Sequence, residues 1–447
     1  MSLKGLLHNR WVKFGFWALL YTAWVIWLGN WWWLLGLIVI FDLQITRKVK
    51  WLFWKKEYKE GEKHNAALEW LDAIIFAVVV VTFLNIFFLQ AFKIPSSSME
   101  SSLYTGDHLF VEKLTYGPKI PETPLTIPFT HNVIGRRESY STLLHNDYRR
   151  LKGLGSLKRG DCVVFGFPNG DTVLTKAPGE DYYALCRSLG RDLVVDRLGP
   201  VKVRPRDKKD HYVKRCVAVA GDILEVKDGL VWINGEQQEI WPGVQLSYKV
   251  STSSGKLNPK FIDKLGLNTG ELYFDSRLPG YPAMPLTASM LEAVSSNPGV
   301  ASVECDLQRP YLDGSGDADI FPFDVSYGWT RDYFGPLWIP SKGAEVELSA
   351  KNIALYRRII TSYEGHSLDI DADGTVLIDG EMTRTYTFAQ DYYFMMGDNR
   401  HNSLDSRYWG FVPEDHIVGR PALVWLSTDG NRKFPGNIRW RRFFKFV

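Results

Sequence analysis

The sequence has few of the residues that metal and thiol chemistry require. Its 447 residues include four cysteines and nine histidines. No Cys-x-x-Cys, His/Cys metal or His-Glu-x-x-His spacing occurs, and the histidines are dispersed, so we expect no metal and no cofactor. The four cysteines are compatible either with one or two disulfides outside the cytoplasm or with four buried free thiols. They are Cys162, Cys186, Cys216 and Cys305.

A large excess of charge of one sign is also missing. The net charge is only +3, and residues 93–447 are close to neutral. A protein that binds nucleic acid normally carries a clustered basic surface, for which the sequence gives no sign. We therefore expect no nucleic-acid partner.

Long apolar runs, in contrast, are abundant near the N-terminus. Residues 14–41 are almost wholly apolar, and a single helix of that length would measure ~42 Å against ~30 Å of hydrocarbon. Gly29 and Asn30 interrupt the run and precede three tryptophans, which favour a membrane interface. The pattern predicts a helical hairpin over residues 12–46, with legs at 12–28 and 31–46; one long tilted helix is the alternative.

A second apolar run, residues 71–92, predicts another membrane helix. The loop before it, residues 47–69, is rich in Lys and Arg, so the positive-inside rule places this loop in the cytoplasm. Residues 1–92 are thus predicted to form a multi-pass membrane anchor, with the lipid bilayer as a partner and everything after Lys93 outside. No small-residue cleavage site follows the first run, so we do not expect a cleaved signal peptide.

After residue 93 the pattern changes to short β-branched and aromatic runs separated by Gly, Asp and Pro turns. It predicts a mainly β fold, with N-terminal transmembrane helices followed by an antiparallel β-sheet domain over residues 93–237 and 386–447. Residues 238–385 are predicted to form an inserted second subdomain, because strand signals are weak over most of 241–349. The C-terminal residues 432–447 are basic and aromatic, which is typical either of a segment that docks on anionic lipid or of a basic edge strand.

Five serines lie within residues 96–102, directly after the second apolar run. Seven extended residues span at most ~25 Å, so any chemistry of these serines is held at the membrane surface. The sequence has no Gly-x-Ser-x-Gly elbow and no histidine in a familiar serine-protease motif. A nucleophilic serine here needs another base, and lysine is the main alternative.

Lys214 is a candidate for that base because it lies within a largely apolar predicted strand. Alternation places it on one face with Cys216 and Ala218, and places Arg215 on the other face. Burial lowers the pKa of an amine, and a value lowered from ~10.4 to ~7–8 suits a general base. A solvent-exposed lysine is the alternative interpretation.

A third segment, residues 393–407, runs from apolar strand residues into a dense polar turn. Such a turn can orient a neighbouring group through hydrogen bonds and a salt bridge, and it is equally consistent with a purely structural loop.

Taken together and in this order, these segments resemble the type I signal peptidases, the bacterial leader peptidases. Ser96–Met99 is similar to their Ser-x-Ser-Met nucleophile motif, Lys158–Phe165 to their Arg-Gly-Asp strand and Val213–Asp222 to their lysine-bearing strand. Gly397–Arg407 fits Gly-Asp-Asn-Arg-x-Asn-Ser-x-Asp-Ser-Arg throughout. Where the family usually has Met-x-Pro-Thr-Leu, this chain departs from it at Met99–Leu103.

The resemblance implies a serine endopeptidase that removes N-terminal signal peptides from exported preproteins. It assigns Ser98 as the nucleophile and Lys214 as the general base, with the Ser96 hydroxyl and the Ser98 backbone N–H in the oxyanion hole. It also assigns four supporting residues, which are Ser403, Asp405, Arg407 and Arg215.

Each supporting residue has an expected contact. Ser403 would hydrogen-bond the Lys214 amine, Asp405 and Arg407 would form an ion pair, and Arg215 would be structural. The resemblance further implies a monomer in the bacterial inner membrane, with its catalytic domain on the periplasmic side.

Two other function classes are consistent with parts of the sequence. A penicillin-binding-type acyltransferase needs Ser-x-x-Lys on a helix, and the one match, Ser253–Lys256, lies in a Gly/Ser turn region. A non-enzymatic membrane-anchored β-domain is the other, because a fold does not imply a function. Labelling of Ser98 by an acylating inhibitor would distinguish the enzyme from such a domain.

Overall fold

The computed structural model describes residues 9–51, 66–135, 137–253, 255–268, 272–371, 374–430 and 432–447. Most of the predicted cytoplasmic loop, residues 52–65, lies outside the described residues. The helices are α1 (Arg10–Leu28), α2 (Trp31–Thr46), α3 (Ala66–Phe87), α4 (Tyr182–Leu189), α5 (Arg191–Leu198), α6 (Pro259–Leu265), α7 (Ala288–Ser295), α8 (Ile353–Arg358) and α9 (Ser406–Trp409).

The strands of the described residues, in chain order, are β1 (Leu89–Lys93), β2 (Asp107–Glu112), β3 (Val133–Ile134), β4 (Arg137–Glu138), β5 (Cys162–Gly166), β6 (Thr172–Leu174), β7 (Val201–Val203), β8 (His211–Ala218), β9 (Ile223–Lys227), β10 (Leu230–Ile233), β11 (Glu236–Gln237), β12 (Leu246–Thr252), β13 (Gly280–Leu286), β14 (Val300–Cys305), β15 (Phe334–Trp338), β16 (Glu345–Glu347), β17 (Leu368–Ile370), β18 (Val376–Ile378), β19 (Glu381–Met382), β20 (Thr385–Thr387), β21 (Tyr392–Met396), β22 (Val412–Pro413), β23 (Ile417–Ser427) and β24 (Lys445–Phe446).

The first two helices form an antiparallel pair joined by a tight turn. Helix α1 ends at Leu28 and is capped by Gly29, whose φ of 63° lies in the left-handed region that glycine adopts without strain. The Phe14 and Phe41 ring centroids lie 5.4 Å apart near one end of the pair, and those of Trp24 and Trp33 lie 5.8 Å apart near the other. These contacts produce a hairpin rather than one long tilted helix.

Among the described residues, two helices are long and apolar enough to cross a membrane, α1 and α3. The sequence predicted that the second of them extends to residue 92, and this was wrong. Helix α3 ends at Phe87, and Leu89–Lys93 form strand β1, which pairs antiparallel with β2. An apolar run does not by itself distinguish a last helical turn from a strand, and here the ladder with β2 decides between them.

The largest sheet confirms the predicted mainly β, antiparallel fold. It has eight strands in the order β1-β2-β23-β5-β8-β21-β22, with β24 also paired to β23. The serine cluster lies in the connection between β1 and β2, and Lys214 lies in the middle of β8. The register pairs Val163 of β5 with Lys214, so a central strand carries the lysine.

The predicted inserted subdomain, residues 238–385, is only partly a separate unit. Within residues 246–305, helices α6 and α7 pack against the sheet β13-β12-β14 and share a separate hydrophobic core with it. In contrast, β15 pairs with β9, and the ring centroid of Phe334 in β15 lies 5.4 Å from that of Phe394 in β21. The prediction of one insertion was therefore wrong for residues 306–385, because weak strand signals do not reveal a strand's pairing partner.

The structure bears on two alternatives that the sequence left open. All four cysteines are free thiols, two of them buried on β5 and β8. The C-terminal segment contains β24, in which Lys445 and Phe446 lie opposite Val424 and Leu423 of β23. Two residues of this basic segment thus form an edge strand, and docking of the segment on anionic lipid stays a prediction.

Candidate active site

A cleft of about 570 Å³ lies between three segments. They are residues 94–106 between β1 and β2, which we call the serine loop, the first half of β8, and residues 397–407 after β21, which we call the polar turn. Its lining includes Phe92, Ile94, Ser96, Ser98, Met99, His211, Val213, Lys214, His401, Ser403, Leu404 and Tyr408. Residues more than 300 positions apart in the chain thus meet in one cavity.

Ser98 and Lys214 are in direct contact in this cleft. The Lys214 Nζ donates a hydrogen bond to the Ser98 Oγ at 2.6 Å. Both residues are buried, with 8% and 4% of their surface exposed. The pair that the sequence predicted as nucleophile and base is therefore brought within proton-transfer distance.

Burial lowers the pKa of the Lys214 amine to about 8. The charge of Arg407 lowers it further, while the carboxylates of Asp405 and Asp398 act in the opposite direction. A charged amine loses hydration when it is buried, so the neutral form gains relative to the ammonium. A substantial fraction of the amine is then neutral near pH 8 and can accept the Ser98 proton.

Two asparagines of the polar turn hold the serine loop. The Asn399 backbone N–H donates to the Ser98 carbonyl oxygen at 3.1 Å, and its side chain donates to the Ser97 carbonyl oxygen at 3.3 Å. The Asn402 side chain donates to the Ser97 Oγ at 3.0 Å. The sequence analysis gave neither asparagine a role, although both lie in the turn that it singled out.

The two remaining serines of the predicted site lie in the same cleft. The Ser96 Oγ is 3.5 Å from the Ser98 Oγ, so a donor stands beside the predicted nucleophile. The Ser403 Oγ is buried and has no hydrogen-bond partner among the described residues, so its predicted bond to Lys214 is not formed here.

Gly397 brings the polar turn close to the serine loop. A Cβ at this position would lie 2.2 Å from the Ser403 Oγ and 2.6 Å from the Ser98 carbonyl oxygen. Because these distances are far below van der Waals contact, only glycine permits the approach.

Asp405 and Arg407 form the predicted ion pair, and both side chains are fully buried. The Arg407 Nε and Nη2 donate to the two carboxylate oxygens at 2.9 and 2.8 Å. Burial alone would raise the pKa of the Asp405 carboxyl, but the Arg407 charge and the Gly397 N–H hold it below its usual value. Through these two side chains the end of the polar turn is bonded to its beginning, since the Gly397 N–H donates to Asp405 and Arg407 donates to the Arg400 carbonyl oxygen.

Arg215 lies on the opposite face of β8 from Lys214 and pairs with Asp398. Its Nε and Nη2 donate to the two carboxylate oxygens at 2.7 and 2.5 Å. Ser102 also donates to Asp398, so the start of the polar turn, β8 and the serine loop are joined at one carboxylate.

The region between β11 and β16 is also bonded to the polar turn. The Ser247 backbone N–H donates to the Nδ1 of His401 at 3.1 Å, so Nδ1 is unprotonated and Nε2 carries the ring proton. The His401 Nε2 lies 2.8 Å from the Asp332 Oδ1. The Arg407 Nη1 donates to the Arg331 carbonyl oxygen at 3.1 Å.

Two strand edges border the cleft. In the described residues β1 pairs only with β2, and residues 211–214 of β8 pair only with β5. Each strand therefore presents backbone N–H and C=O groups towards the cleft, where an extended peptide can add as a strand. The described residues contain no group of three His, Cys, Asp or Glu side chains that could hold a metal ion.

Comparison with known proteins gives a consistent match. A family model described as signal peptidase, peptidase S26, matches residues 67–258 and 345–426. Signal peptidase I of Buchnera aphidicola subsp. Acyrthosiphon pisum is 54% identical over 396 residues, covering 87% of this chain and 85% of the relative. Signal peptidase I of Haemophilus influenzae is 24% identical over 394 residues, with 88% and 79% covered. That of Helicobacter pylori strain J99 is 25% identical over 396 residues, with 85% and 91% covered.

Proposed function

Because this chain belongs to the signal peptidase family, peptidase S26, we propose that its Ser98–Lys214 dyad removes signal peptides from exported preproteins. The protein is a membrane-anchored serine endopeptidase. The observation that carries the assignment of the dyad is the 2.6 Å contact between the serine hydroxyl and a buried lysine amine whose pKa is about 8.

The first half of the reaction acylates Ser98. The neutral Lys214 amine accepts the Ser98 proton as the Oγ attacks the scissile carbonyl carbon. The Ser98 backbone N–H and the Ser96 hydroxyl stabilise the oxyanion, each such donor contributing roughly 2–4 kcal/mol to the transition state. Lys214 then passes its proton to the departing amine of the mature protein, and the signal peptide remains as an ester on Ser98.

The second half releases the signal peptide. Lys214, neutral again, accepts a proton from a water that attacks the ester carbonyl carbon. The same two donors stabilise the second oxyanion, and the proton returns to the Ser98 Oγ as the ester breaks. The ion pair of Asp405 and Arg407 acts on neither step directly and keeps the polar turn in place.

The cleft suits an extended peptide with small side chains. A substrate strand between β1 and residues 211–214 would pair its backbone with one or both open edges and point alternate side chains towards the same wall. Signal peptides end in an A-x-A-like sequence, which places small residues at those alternate positions. We propose that the residues flanking the peptide are those near Phe92–Ser97 and Lys209–Val213.

The contacts of the hairpin support a multi-pass orientation. Leu28, the last residue of α1, packs in one cluster with Phe87, the last residue of α3, so the turn between α1 and α2 lies at the same side of the bilayer as the C-terminal end of α3. The Lys- and Arg-rich residues 47–69 then lie in the cytoplasm. In a bacterial inner membrane this places the β domain on the periplasmic side, and one chain supplies the whole dyad, so we propose a monomer.

The proposal is tested by cleaving a preprotein with the full chain in proteoliposomes. We expect one cut, immediately after an A-x-A-like sequence, as shown by N-terminal sequencing of the product. A matched preprotein with Phe in place of the alanine before the cut is expected to remain intact. Absence of cleavage of the first preprotein, with the chain folded and inserted, would contradict the proposal.

The rate is expected to depend on pH through Lys214. Its ammonium form cannot accept the Ser98 proton, so kcat/KM should fall about tenfold per pH unit below a pKa of about 8 and level off above it. Cleavage of a short soluble peptide between pH 6 and 9 measures this profile. A flat profile between pH 6 and 8 would show that Lys214 is not the base.

A further inference from the structure

The active-site cleft has one end near the membrane helices and one end away from them. Helix α3 ends at Phe87 and β1 follows at once, so Phe92 lies a few residues beyond the end of that helix. The ring centroid of Phe92 lies 5.1 Å from that of His211, at the start of β8. The contact between Ser98 and Lys214 lies further along both segments. A substrate that leaves the bilayer therefore enters the cleft beside Phe92 and is cut at the far end.

A peptide that pairs with the open edge of β8 lies in line with β21. Strand β21 occupies the same edge of β8 from Arg215 onwards, where Met396 is its last paired residue. Residues 211–214 pair with β5 on their other side, so this edge is open only up to the point where β21 begins. The peptide chain therefore reaches the polar turn immediately beyond the bond that Ser98 attacks.

The peptide cannot continue straight on, because the polar turn packs closely on the serine loop. A Cβ on Gly397 would lie 2.6 Å from the Ser98 carbonyl oxygen, and the Asn402 side chain donates to the Ser97 Oγ at 3.0 Å. No further chain fits between two segments at these distances. The residues after the cut must therefore pass over the outer surface of the turn.

That outer surface consists of few residues. Within the polar turn only Asn402 and Leu404 are exposed. The His401 ring, which also lines the cleft, is held by the Ser247 N–H at one nitrogen and by Asp332 at the other. A substrate that crosses the turn therefore meets Asn402 and Leu404 first.

Leu404 is the apolar member of this pair and is presented by a fixed backbone. It is 66% exposed, and of the large hydrophobic side chains that line the cleft in the described structure it alone is exposed. Its neighbours Ser403 and Asp405 are buried, and the Gly397 N–H donates to the Asp405 carboxylate at 3.0 Å. A single exposed leucine is ordinary on a protein surface, so its place at the exit of the cleft carries the argument.

We propose that the polar turn binds the first residues of the mature protein, with Leu404 in contact with the side chain of the first or the second residue after the cut. The proposal rests on the proposed function, because it takes Ser98 as the point of cleavage. Successive side chains of an extended chain point to opposite faces, so one of these two positions faces Leu404 and the other does not.

The chemistry of this end of the cleft favours an uncharged side chain. The charged residues of the polar turn are all buried, and they are Asp398, Arg400, Asp405 and Arg407. A charged substrate side chain would lose part of its hydration here without meeting a partner, whereas an apolar one can cover Leu404. Leu404 is thus a specificity-determining residue for the mature side of the cleavage site.

The test exchanges charge at position 404 and in the substrate. Leu404→Lys and Leu404→Glu are compared with the parent in proteoliposomes, on preproteins with Leu, Lys or Glu at the first or the second position after the cut. The parent should cleave the Leu preproteins at the highest rate. At one of the two positions, Leu404→Lys should raise the ratio of kcat/KM for Glu over Lys about threefold, and Leu404→Glu should lower it about threefold.

Salt distinguishes a direct contact from a disturbed turn. The attraction between exposed charges is screened, so the change in the ratio should shrink between 50 mM and 1 M salt. Leu312→Lys and Leu312→Glu are the matched controls, because Leu312 is fully exposed and does not line the cleft. Both controls should leave the ratio at the parental value.

Two results would overturn the proposal while leaving the proposed function intact. One is a parent that cleaves normally and Leu404 variants whose ratio stays parental at both positions. The other is a ratio that changes only when the charge is placed at the second residue before the cut, since Leu404 would then contact the signal peptide. If the parent cleaves no preprotein, the proposed function fails and this proposal fails with it.

A second measurement needs no cleavage. In a full chain with Ser98→Ala, Cys186→Ser and Cys305→Ser, Leu404→Cys is mixed in detergent with a signal-peptide substrate that carries one cysteine, and copper phenanthroline is the oxidant. A disulfide should form when the substrate cysteine is the first or second residue after the cut site, and not when it is the second residue before it. The reverse pattern, or equal trapping by Leu312→Cys, would contradict the proposed contact.

Discussion

Ser98→Ala and Lys214→Met are each expected to lower kcat/KM for a preprotein by roughly 10³-fold or more, because the residues of a nucleophile–base pair act as a unit. Ala removes the attacking oxygen. Met keeps the length and apolar stem of Lys214 but has no nitrogen to accept the proton. The double variant should be no slower than either single variant, since nothing remains of the unit once one member is lost.

The two variants should keep the fold. Lowering the pKa of a buried amine from 10.5 to about 8 corresponds to about 3 kcal/mol of lost stability at neutral pH, so Met at position 214 should unfold at a temperature no lower than the parent. Circular dichroism and thermal unfolding in detergent measure this. A Lys214→Met protein that cleaves at the parental rate would rule out the mechanism.

Two matched variants separate the dyad from its surroundings. Ser101→Ala changes a serine of the same loop that has a positive φ and forms no hydrogen bond with Lys214 or the polar turn in the described structure. Lys113→Met removes another amine whose pKa burial lowers, to about 7, but which donates to Asn85 next to the end of α3. Both should retain activity within a few-fold, since neither side chain reaches Ser98.

The components of the site were predictable from the sequence because each is encoded locally. A period of two places Lys214 and Arg215 on opposite faces of β8, and the structure pairs one with Ser98 and the other with Asp398. The resemblance of residues 397–407 to a family motif likewise implied the ion pair between Asp405 and Arg407 that the structure contains. These inferences need only the residues within one element.

The contacts between distant segments were not predictable in the same way. Asn399 and Asn402 bond the serine loop across about 300 residues, and His401 bonds Asp332 from a region with weak strand signals. A single sequence contains no record of which segments pair. The same reason explains the wrong end of α3, where the ladder between β1 and β2 decided a choice that hydropathy left open.

Breaking the buried pair in the polar turn should have the largest effect on stability. Arg407→Met leaves the Asp405 carboxylate in a fully buried site without its guanidinium, and removing one partner of such a pair typically costs about 3–5 kcal/mol. Thermal and denaturant unfolding of the full chain in detergent measure the loss. Arg407→Met with Asp405→Asn should lose less than the sum of the single changes, because the amide carries no uncompensated charge.

The pH dependence of this loss distinguishes a buried charge from lost packing. In the parent, Arg407 holds the pKa of Asp405 below its unfolded value, so the pair's contribution is complete above the unfolded pKa of about 4 and is lost as the pH falls through the folded pKa. In Arg407→Met the carboxyl is buried without a cation, so its pKa should rise and it should bind a proton at mildly acidic pH. The stability difference from the parent should therefore shrink between pH 7 and pH 5.

A stability difference that stays constant over this range would show that the loss comes from packing alone.

Activity should fall together with stability. The turn that Arg407 closes carries Asn399 and Asn402, whose N–H groups donate hydrogen bonds to Ser97 and Ser98. Measured well below the unfolding temperature, Arg407→Met should lower kcat and move the pH at half-maximal rate above 8, because the Arg407 charge lowers the pKa of Lys214 and the remaining Asp405 carboxylate raises it. That combination would mean that the pair both positions the nucleophile and tunes the protonation state of the base.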